Sequence, residues 1–244
     1  MIKNIYEAGL SQHFYYAFFC IGIIAAYVFL VWYGRKIALK AFKVIIAVAL
    51  GSVGVLCIMG LSQKALIPLE HKIPIMNSYL NNMGRAFIFV PLVAIIVSVV
   101  LKISWAKVCN LYSFTQTIIW GFASLGCLFA DCCKGYPCEW GIYNAITEIR
   151  LFPTQIINSV ALLSVAVLIY LRCKKRAYVP DGKEYPLMLI FVGAIRFFTE
   201  FLMDNSKIVL GLSSLSFDAL IMCAVGIALY VLIGKKVIRI QRSA

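Results

Sequence analysis

Seven stretches of apolar residues divide the chain, and polar or charged segments separate them. Because the hydrocarbon core of a bilayer is about 30 Å thick, about twenty helical residues are needed to cross it. Most of the stretches have about that length, the third is shorter, and charged residues interrupt the sixth. They cover residues 14–33, 41–60, 86–101, 108–130, 154–171, 185–203 and 213–234. The pattern predicts an all-α integral membrane protein with about seven transmembrane helices.

Lysine and arginine are unevenly distributed among the segments between these stretches. Since cytoplasmic loops of membrane proteins are enriched in both residues, the richer set of segments marks the cytoplasmic side. That set contains Arg35, Lys36, Lys40, Lys43, Lys102, Lys107, Arg172, Lys174, Lys175, Arg176, Lys183, Lys235, Lys236, Arg239 and Arg242. The distribution predicts an N-terminus outside and a C-terminus in the cytoplasm, which an odd number of helices satisfies.

Two of the segments predicted to face outward are long, residues 61–85 and 131–153. Both mix proline, glycine, aromatic and charged residues, which is typical of ordered loops rather than disordered chain. We expect these loops to shape the outer rim of any site. The chain as a whole, residues 1–244, is predicted to form a single membrane domain. It has no visible internal repeat, which disfavours an inverted-repeat transporter.

The composition agrees with lipid as the main solvent. Hydrophobic residues make up 63% and charged residues 14% of the chain, against about 45–50% and about 25% in soluble domains. The formal net charge of +13 belongs to the loops, and no arginine-rich tract or basic–aromatic stripe predicts a nucleic-acid partner. The first apolar stretch is too long for the core of a signal peptide and lacks a small-residue cleavage site, so a retained helix is predicted.

The sixth stretch contains Arg196, Glu200 and Asp204 at spacings of four residues, which a helix stacks along one face. An ionisable group inside a membrane costs roughly 2.5–3.5 kcal/mol on insertion scales, so such groups face a bundle interior or a watery cavity. One interpretation is a functional site. The other is a structural ion pair between Arg196 and Glu200 that locks two helices together.

A cysteine cluster follows the fourth stretch: Cys127, Cys132, Cys133 and Cys138. Their spacing lacks the C-x2-C pairs of common zinc sites, and no histidine lies nearby. No metal ligand is therefore expected. A disulfide such as Cys133 with Cys138 is favoured over zinc, and simple packing is the remaining interpretation. Gly126, Gly135 and Gly141 indicate tight turns or close backbone approaches in the same segment.

Two further motifs flank apolar stretches. The F-P-T-Q sequence at 152–155 opens the fifth, where Thr154 or Gln155 is suited to cap the helix, and Gln155 is alternatively suited to face a polar cavity. Arg85 precedes the third stretch at the outer interface. Its guanidinium is suited either to bind a phosphate in bidentate fashion or to extend to lipid headgroups without a specific role.

Taken in order, these motifs resemble those of the bacterial prolipoprotein diacylglyceryl transferases. The resemblance covers roughly residues 84–234. It includes the glycine loop after the fourth helix, the P-T-Q element, the R-F-F-T-E-F element at 196–201, and the last helix after G-L-S-S-L-S. The R-F-F-x-E-F and P-T-Q elements are its most specific parts.

The resemblance implies a reaction. The family moves the diacylglyceryl group of phosphatidylglycerol to the lipobox cysteine of a preprolipoprotein, within the bacterial inner membrane and with the active face outward. It implies Arg196 and Glu200 as catalytic residues, with Arg196 holding the phosphate and Glu200 orienting it or assisting proton transfer. Gly126 and Gly135 match the glycine loop that shapes the lipid site, and Arg85 and Gln155 are the other expected substrate contacts. No cofactor is expected.

This sequence departs from the family pattern at several motif positions. Ser124, Cys127 and Cys132 occupy the positions of the loop arginine, asparagine and glutamate, whereas Phe152 and Asn158 replace the histidine and glutamate around P-T-Q. The histidine to which proton transfer is usually assigned therefore has no counterpart. These departures leave two alternatives: a paralogue that binds phospholipid or modifies another acceptor, and a small-solute transporter in which Asp218 of the last helix takes part.

Overall fold

A computed structural model of the protein describes residues 11–70, 83–144, 148–203 and 212–235. These ranges contain seven α-helices and one two-stranded sheet. The helices are α1 (Ser11–Lys36), α2 (Ala41–Glu70), α3 (Met83–Leu101), α4 (Trp105–Phe129), α5 (Thr154–Lys175), α6 (Glu184–Glu200) and α7 (Ser214–Gly234), and the strands are β1 (Pro137–Asn144) and β2 (Ile149–Leu151). The predicted all-helical architecture is confirmed, and each apolar stretch forms most of one helix.

Four helical segments are long and apolar enough to cross a membrane by length and composition: Gln12–Lys36, Ala41–Ile58, Thr154–Lys175 and Leu215–Gly234. Ala86–Leu101 is a shorter apolar helix. The count of seven spans and the orientation of the termini stay predictions.

The outward surfaces of the helices are apolar. Large hydrophobic side chains such as Ile24, Phe42, Ile96 and Val160 are each at least 60% exposed. A water-soluble domain rarely leaves so many large apolar side chains in contact with solvent. This surface is suited to contact lipid chains.

Helix α4 is the centre of the bundle and packs against α1, α2, α3, α5 and α6. Two tyrosine hydroxyls connect elements of the core by bonding to backbone carbonyls. Tyr112 donates to the carbonyl of Ala47 at 2.8 Å, and Tyr185 donates to that of Phe87 at 2.7 Å. Because a helix carbonyl accepts a second hydrogen bond readily, these two hydroxyls are buried without an unmet donor. The first bond holds α2 against α4, and the second holds α3 against α6.

The long segment after α4 forms a β-hairpin, which the sequence pattern did not predict. Strands β1 and β2 are antiparallel, with Tyr143 opposite Arg150 and Asn144 opposite Ile149. A separate bridge joins Gly135 to Met203 after α6. The hairpin end of the bundle is defined here by the end of α4, the hairpin, the start of α5 and the end of α6. The connections at 37–40, 102–104 and 176–183 lie at the opposite end.

Helix α6 ends at Glu200. The prediction that one continuous helix stacks Arg196, Glu200 and Asp204 was therefore wrong for the third residue. The bridge between Met203 and Gly135 takes the chain out of helical geometry before Asp204 is reached. Asp204 itself lies outside the described residues.

Candidate functional site

A polar cavity of about 450 Å³ opens at the hairpin end of the bundle. Residues from α1, α4, α5 and α6, together with the loop after α4, form its wall. They are Gln12, Tyr15, Tyr16, Trp120, Ser124, Cys127, Ala130, Cys132, Cys133, Gln155, Asn158, Arg196 and Met203. Four of the five positions at which the sequence departs from the family pattern line this cavity, so the departures are concentrated in one place.

Arg196 projects into the cavity from the last turns of α6. Its guanidinium nitrogen Nη2 lies 3.1 Å from Oε1 of Glu200, one helical turn further along. Its central carbon lies 5.8 Å from the centre of the Trp120 ring, a cation–π contact. A guanidinium has five N–H donors, so these contacts leave donors that can bind an anion in the cavity.

Glu200 is buried, with its side chain 1% exposed. Besides the Arg196 ion pair, its Oε2 accepts a hydrogen bond of 2.8 Å from the hydroxyl of Ser213. Ser213 is the N-cap of α7 and also accepts a bond from the amide of Ser216. The carboxylate is thus held from two helices, which fixes the orientation of Arg196.

Three cysteines of the predicted cluster meet on the cavity wall. The sulfur atoms of Cys127, Cys132 and Cys133 all lie within 4.8 Å of one another. The pKa of the Cys133 thiol is lowered because the Cys127 and Cys132 thiols donate hydrogen bonds to it and because Arg196 lies beside it. Cys138 is not part of this group, and the expected Cys133–Cys138 disulfide is not formed, since both cysteines are free.

The P-T-Q element holds the cysteine loop in position. The hydroxyl of Thr154 donates to the carbonyl of Cys133 at 2.6 Å, and the amide of Gln155 donates to that of Cys132 at 2.9 Å. The expectation that either side chain caps α5 was wrong, because the N-cap is Pro153 and receives no side-chain bond. Gln155 instead lines the cavity, which was the alternative interpretation.

The two predicted loop glycines are positions of close approach. A side chain at Gly126 would meet the backbone of Tyr15 on α1 at 3.1 Å, and one at Gly135 would clash with the carbonyl of Phe152. These contacts join α1 and the start of α5 to the loop that carries the cysteines. A direct contact of either glycine with lipid stays a prediction.

Three other residues singled out by the sequence lie elsewhere. Arg85 is in the first turn of α3, and its side chain lies outside the described part of the structure. Phe152, at the position of the family histidine, packs edge-on against Trp140 of the hairpin with ring centres 5.1 Å apart. Asp218 is buried in α7, 2% exposed, and belongs to the wall of neither cavity described here.

A second, apolar cavity of about 370 Å³ adjoins the polar one. It lies among α1, α2, α3 and α4, and Trp120 contributes to the walls of both cavities. Its lining is almost entirely hydrophobic: Phe19, Ile23, Tyr27, Val48, Gly51, Ser52, Val55, Leu56, Ala86, Phe87, Val90, Tyr112, Thr115, Gln116, Ile119, Trp120 and Ala123. The arrangement suits an amphiphile with an anionic head beside Arg196 and an apolar tail beyond Trp120.

Sequence reasoning missed two members of the site. Ser213 is an ordinary helix-capping residue in the sequence, and that signal predicts its bond to Ser216 but not its bond to Glu200. Trp120 lies within an apolar stretch where nothing distinguishes it from a core residue. Both are identified only by what packs against them.

Comparison with known families agrees with this geometry. The family model described as prolipoprotein diacylglyceryl transferase matches residues 3–232, nearly the whole chain. The sequence matches no curated protein. The matched range contains Arg196, Glu200 and the P-T-Q element and ends within α7. The chain therefore belongs to the prolipoprotein diacylglyceryl transferase family.

Proposed function

We propose that the protein transfers the diacylglyceryl group of phosphatidylglycerol to the thiol of the lipobox cysteine in preprolipoproteins, releasing glycerol phosphate. The reaction takes place at the outer face of the bacterial inner membrane, to which the hairpin end is directed. The observation that carries the proposal is the adjacency of the two cavities: a partly buried arginine in the polar one and a hydrophobic lining in the other, with Trp120 between them.

Arg196 binds the phosphate of the lipid. Charge-assisted bonds from a guanidinium to phosphate are strong and directional, and they strengthen where water is excluded. As the bond from carbon to phosphate oxygen breaks, negative charge grows on the leaving group. A fixed cation next to that oxygen lowers the barrier because it interacts most strongly with the transition state.

Glu200 acts by positioning Arg196. Its carboxylate forms an ion pair with Arg196, accepts a hydrogen bond from Ser213 and is almost completely buried. A carboxylate held in this way is poorly placed to collect a proton from a thiol across the cavity. Orientation is therefore favoured over proton transfer, the other role implied by the family resemblance.

The acyl chains occupy the apolar cavity and the lipid-facing surface next to it. Burial of apolar chain stabilises the complex by roughly 25 cal/mol for each Å² removed from water, but this gain is small for a lipid that already lies in the bilayer. The cavity therefore selects and aligns the lipid more than it increases its affinity. Alignment places the reacting glyceryl carbon beside the cysteine loop.

The proposal is tested by incubating the purified full-length protein with radiolabelled phosphatidylglycerol and a lipobox peptide. We expect label on the peptide thiol, and none on a peptide in which serine replaces that cysteine. A standard family enzyme serves as the positive control. If that enzyme transfers lipid under the same conditions and this protein does not, the proposed reaction is wrong.

A second candidate is a paralogue that binds phospholipid but modifies another acceptor. It is favoured by the concentration of the departures Ser124, Cys127, Cys132 and Asn158 in the polar cavity, where an acceptor enters. Phosphatidylglycerol that co-purifies with the wild type but not with Arg196→Ala, without label on the lipobox peptide, would support it.

A further inference from the structure

The roles proposed for Arg196 and Glu200 do not involve the three clustered cysteines. Cys127 lies in the last turns of α4, whereas Cys132 and Cys133 come from the loop that follows. In an extended chain, neighbouring side chains point to opposite sides. Cys133 has a φ of 55°, in the left-handed region, and this turns it toward the same side as Cys132. All three sulfur atoms consequently face one point on the cavity wall.

Their spacing is close to that of a metal site. Zinc binds thiolate sulfur at about 2.3 Å, so three sulfurs around one tetrahedral ion are separated by about 3.8 Å. The observed sulfur atoms lie within 4.8 Å of one another, and side-chain rotation alone can close that difference. Adjacent cysteines such as Cys132 and Cys133 are not expected to bind the same metal, because neighbouring side chains of an extended chain point apart. The left-handed backbone turn at Cys133 removes this obstacle.

The loop is also supported as metal sites usually are. Thr154 and Gln155 hold the carbonyls of Cys133 and Cys132 by hydrogen bonds of 2.6 and 2.9 Å. Such bonds behind the ligands fix their orientation before a metal arrives. Three thiolates with one divalent cation carry one net negative charge, and Arg196 beside Cys133 offsets it.

We propose that Cys127, Cys132 and Cys133 bind a zinc ion whose fourth position faces the cavity and receives the thiol of the acceptor cysteine. The second half of this inference rests on the proposed transferase function, and the first half does not. Zinc is favoured over copper(I) because the reaction is a substitution without electron transfer. Three protein ligands with one open position are also the pattern of catalytic zinc.

The step balances without an oxidant or reductant. The acceptor thiol releases its proton to water in the cavity when its sulfur coordinates zinc, because a metal-bound thiol is deprotonated. The thiolate then forms a sulfur–carbon bond to the terminal glyceryl carbon of phosphatidylglycerol. The bond from that carbon to the phosphate oxygen breaks, and glycerol phosphate leaves with the electron pair. Arg196 stabilises the charge on that oxygen.

This arrangement supplies what the missing histidine would otherwise supply. Phe152 replaces it and packs against Trp140, so no base is present at that position. Coordination to zinc keeps the acceptor sulfur ionised at neutral pH, and a general base for the thiol is then not needed. The same three residues thus hold the metal and make up for the loss of the base.

The test begins with metal content, which does not depend on activity. The full-length protein, purified under reducing conditions with zinc in the medium, is expected to contain one zinc per chain by mass spectrometry. The variants Cys127→Ser, Cys132→Ser and Cys133→Ser should each weaken zinc binding more than about tenfold. Cys138→Ser, in the hairpin outside the group, is the matched control and should retain the metal.

The acceptor role is tested with cobalt in place of zinc. Sulfur-to-cobalt charge-transfer absorption should appear in the wild type and change when a lipobox peptide is added, but not when its serine analogue is added. Each variant is first checked by size-exclusion chromatography. If a serine variant does not fold, wild type stripped by a chelator and reloaded with metal replaces it.

The outcomes separate this inference from the proposed function. Three titratable thiols without bound zinc, copper in place of zinc, or a disulfide within the group would each overturn the metal site. Undiminished lipid transfer by a zinc-free protein would overturn the catalytic role and leave the function standing. Zinc bound through the three cysteines in a protein that transfers no lipid would overturn the function and leave the metal site standing.

Discussion

Helix α6 buries a glutamate at each of its two ends, and the two residues have very different surroundings. Glu200, at the hairpin end, forms an ion pair with Arg196 at 3.1 Å and accepts a hydrogen bond from Ser213 at 2.8 Å. Glu184, in the first turn, is fully buried, and within the described part of the chain no side chain donates a hydrogen bond to its carboxylate. The nearby Arg172 bonds to Asp181 instead, at 2.9 Å.

The difference shows that a buried charge in an apolar helix is not by itself evidence of a site. Glu184 lies where the positive end of the helix dipole favours an acidic group, and no cavity described here includes it. Glu200 is held from two helices beside a cavity that contains its cationic partner. The surroundings of the carboxylate, rather than its presence, distinguish a functional end from a structural one.

The largest effect is expected from Arg196→Ala. Loss of the cation that faces the leaving phosphate should reduce diacylglyceryl transfer about 100-fold or more, as removal of one transition-state donor does elsewhere. Arg196→Lys should recover part of the activity, because it keeps the charge without the fork of donors. Arg172→Ala, which removes an arginine at the opposite end, is the matched control. Equal losses in the two alanine variants would contradict the assignment.

A smaller loss is expected from Glu200→Gln. The amide keeps the shape but weakens the hold on Arg196, so kcat should fall about tenfold while the protein stays folded. Glu184→Gln makes the same chemical change at the other end of the helix and should leave the transfer rate unchanged. Radiolabel transfer by both variants, measured side by side, checks the contrast. If only Glu184→Gln loses transfer activity, the assignment of the functional end of α6 is wrong.

Replacement of Glu184 and replacement of Glu200 are expected to change the stability of the protein in opposite directions. At Glu184, replacement by methionine removes a buried carboxylate that has no side-chain hydrogen-bond partner and should raise the free energy of unfolding by about 1–3 kcal/mol. The measurement is the thermal midpoint of detergent-solubilised protein. Glu200→Met is the paired variant and should lower the midpoint, because it leaves Arg196 buried without its partner. A drop in both would show that Glu184 has a stabilising role.

Ser213→Ala should have the smallest effect. It removes an N-cap and one bond to Glu200, which together contribute about 1 kcal/mol. The thermal midpoint should fall slightly, and transfer activity should fall with it because Arg196 becomes less well oriented. Ser164→Ala removes a hydroxyl that bonds only one turn back on an exposed part of α5 and should change neither. If the thermal midpoint falls and the transfer activity does not, Ser213 stabilises α7 as its N-cap but does not contribute to the orientation of Arg196.

The sequence predicted the helices well because hydrophobic length is a local property. Each apolar stretch became most of a helix, with ends that differ by a few residues except in α2, which continues to Glu70 into the segment that was predicted to be a loop. The Arg196–Glu200 pair was also predictable, since a spacing of four residues is fixed by helix geometry. Asp204 was not, because the end of α6 is set by the bridge from Met203 to Gly135, which is 68 positions earlier in the chain.

The cysteine loop was likewise predicted only in part, because some of its features are local and others depend on distant contacts. Its glycines and its closeness to a helix end were visible in the sequence, but the sequence left a disulfide such as Cys133 with Cys138 and simple packing both open. Cys133 lies beside Cys127 because of a left-handed backbone turn and two hydrogen bonds from the side chains of Thr154 and Gln155. The pairing of β1 with β2 was missed as well, because β2 has only three residues and both strands lie in a segment of mixed composition.

The sequence by itself determined that this protein is a helical membrane protein of the prolipoprotein diacylglyceryl transferase type, with a charged pair on its sixth helix. The helices follow from apolar length and the charged pair from residue spacing within one helix, whereas the family follows from the resemblance of the motifs and from the match over residues 3–232. Only the tertiary structure decided that Glu200 is held by Ser213, that three cysteines share one wall, and that a polar and an apolar cavity meet at Trp120. Those contacts join residues from different helices, and their formation depends on how the helices pack.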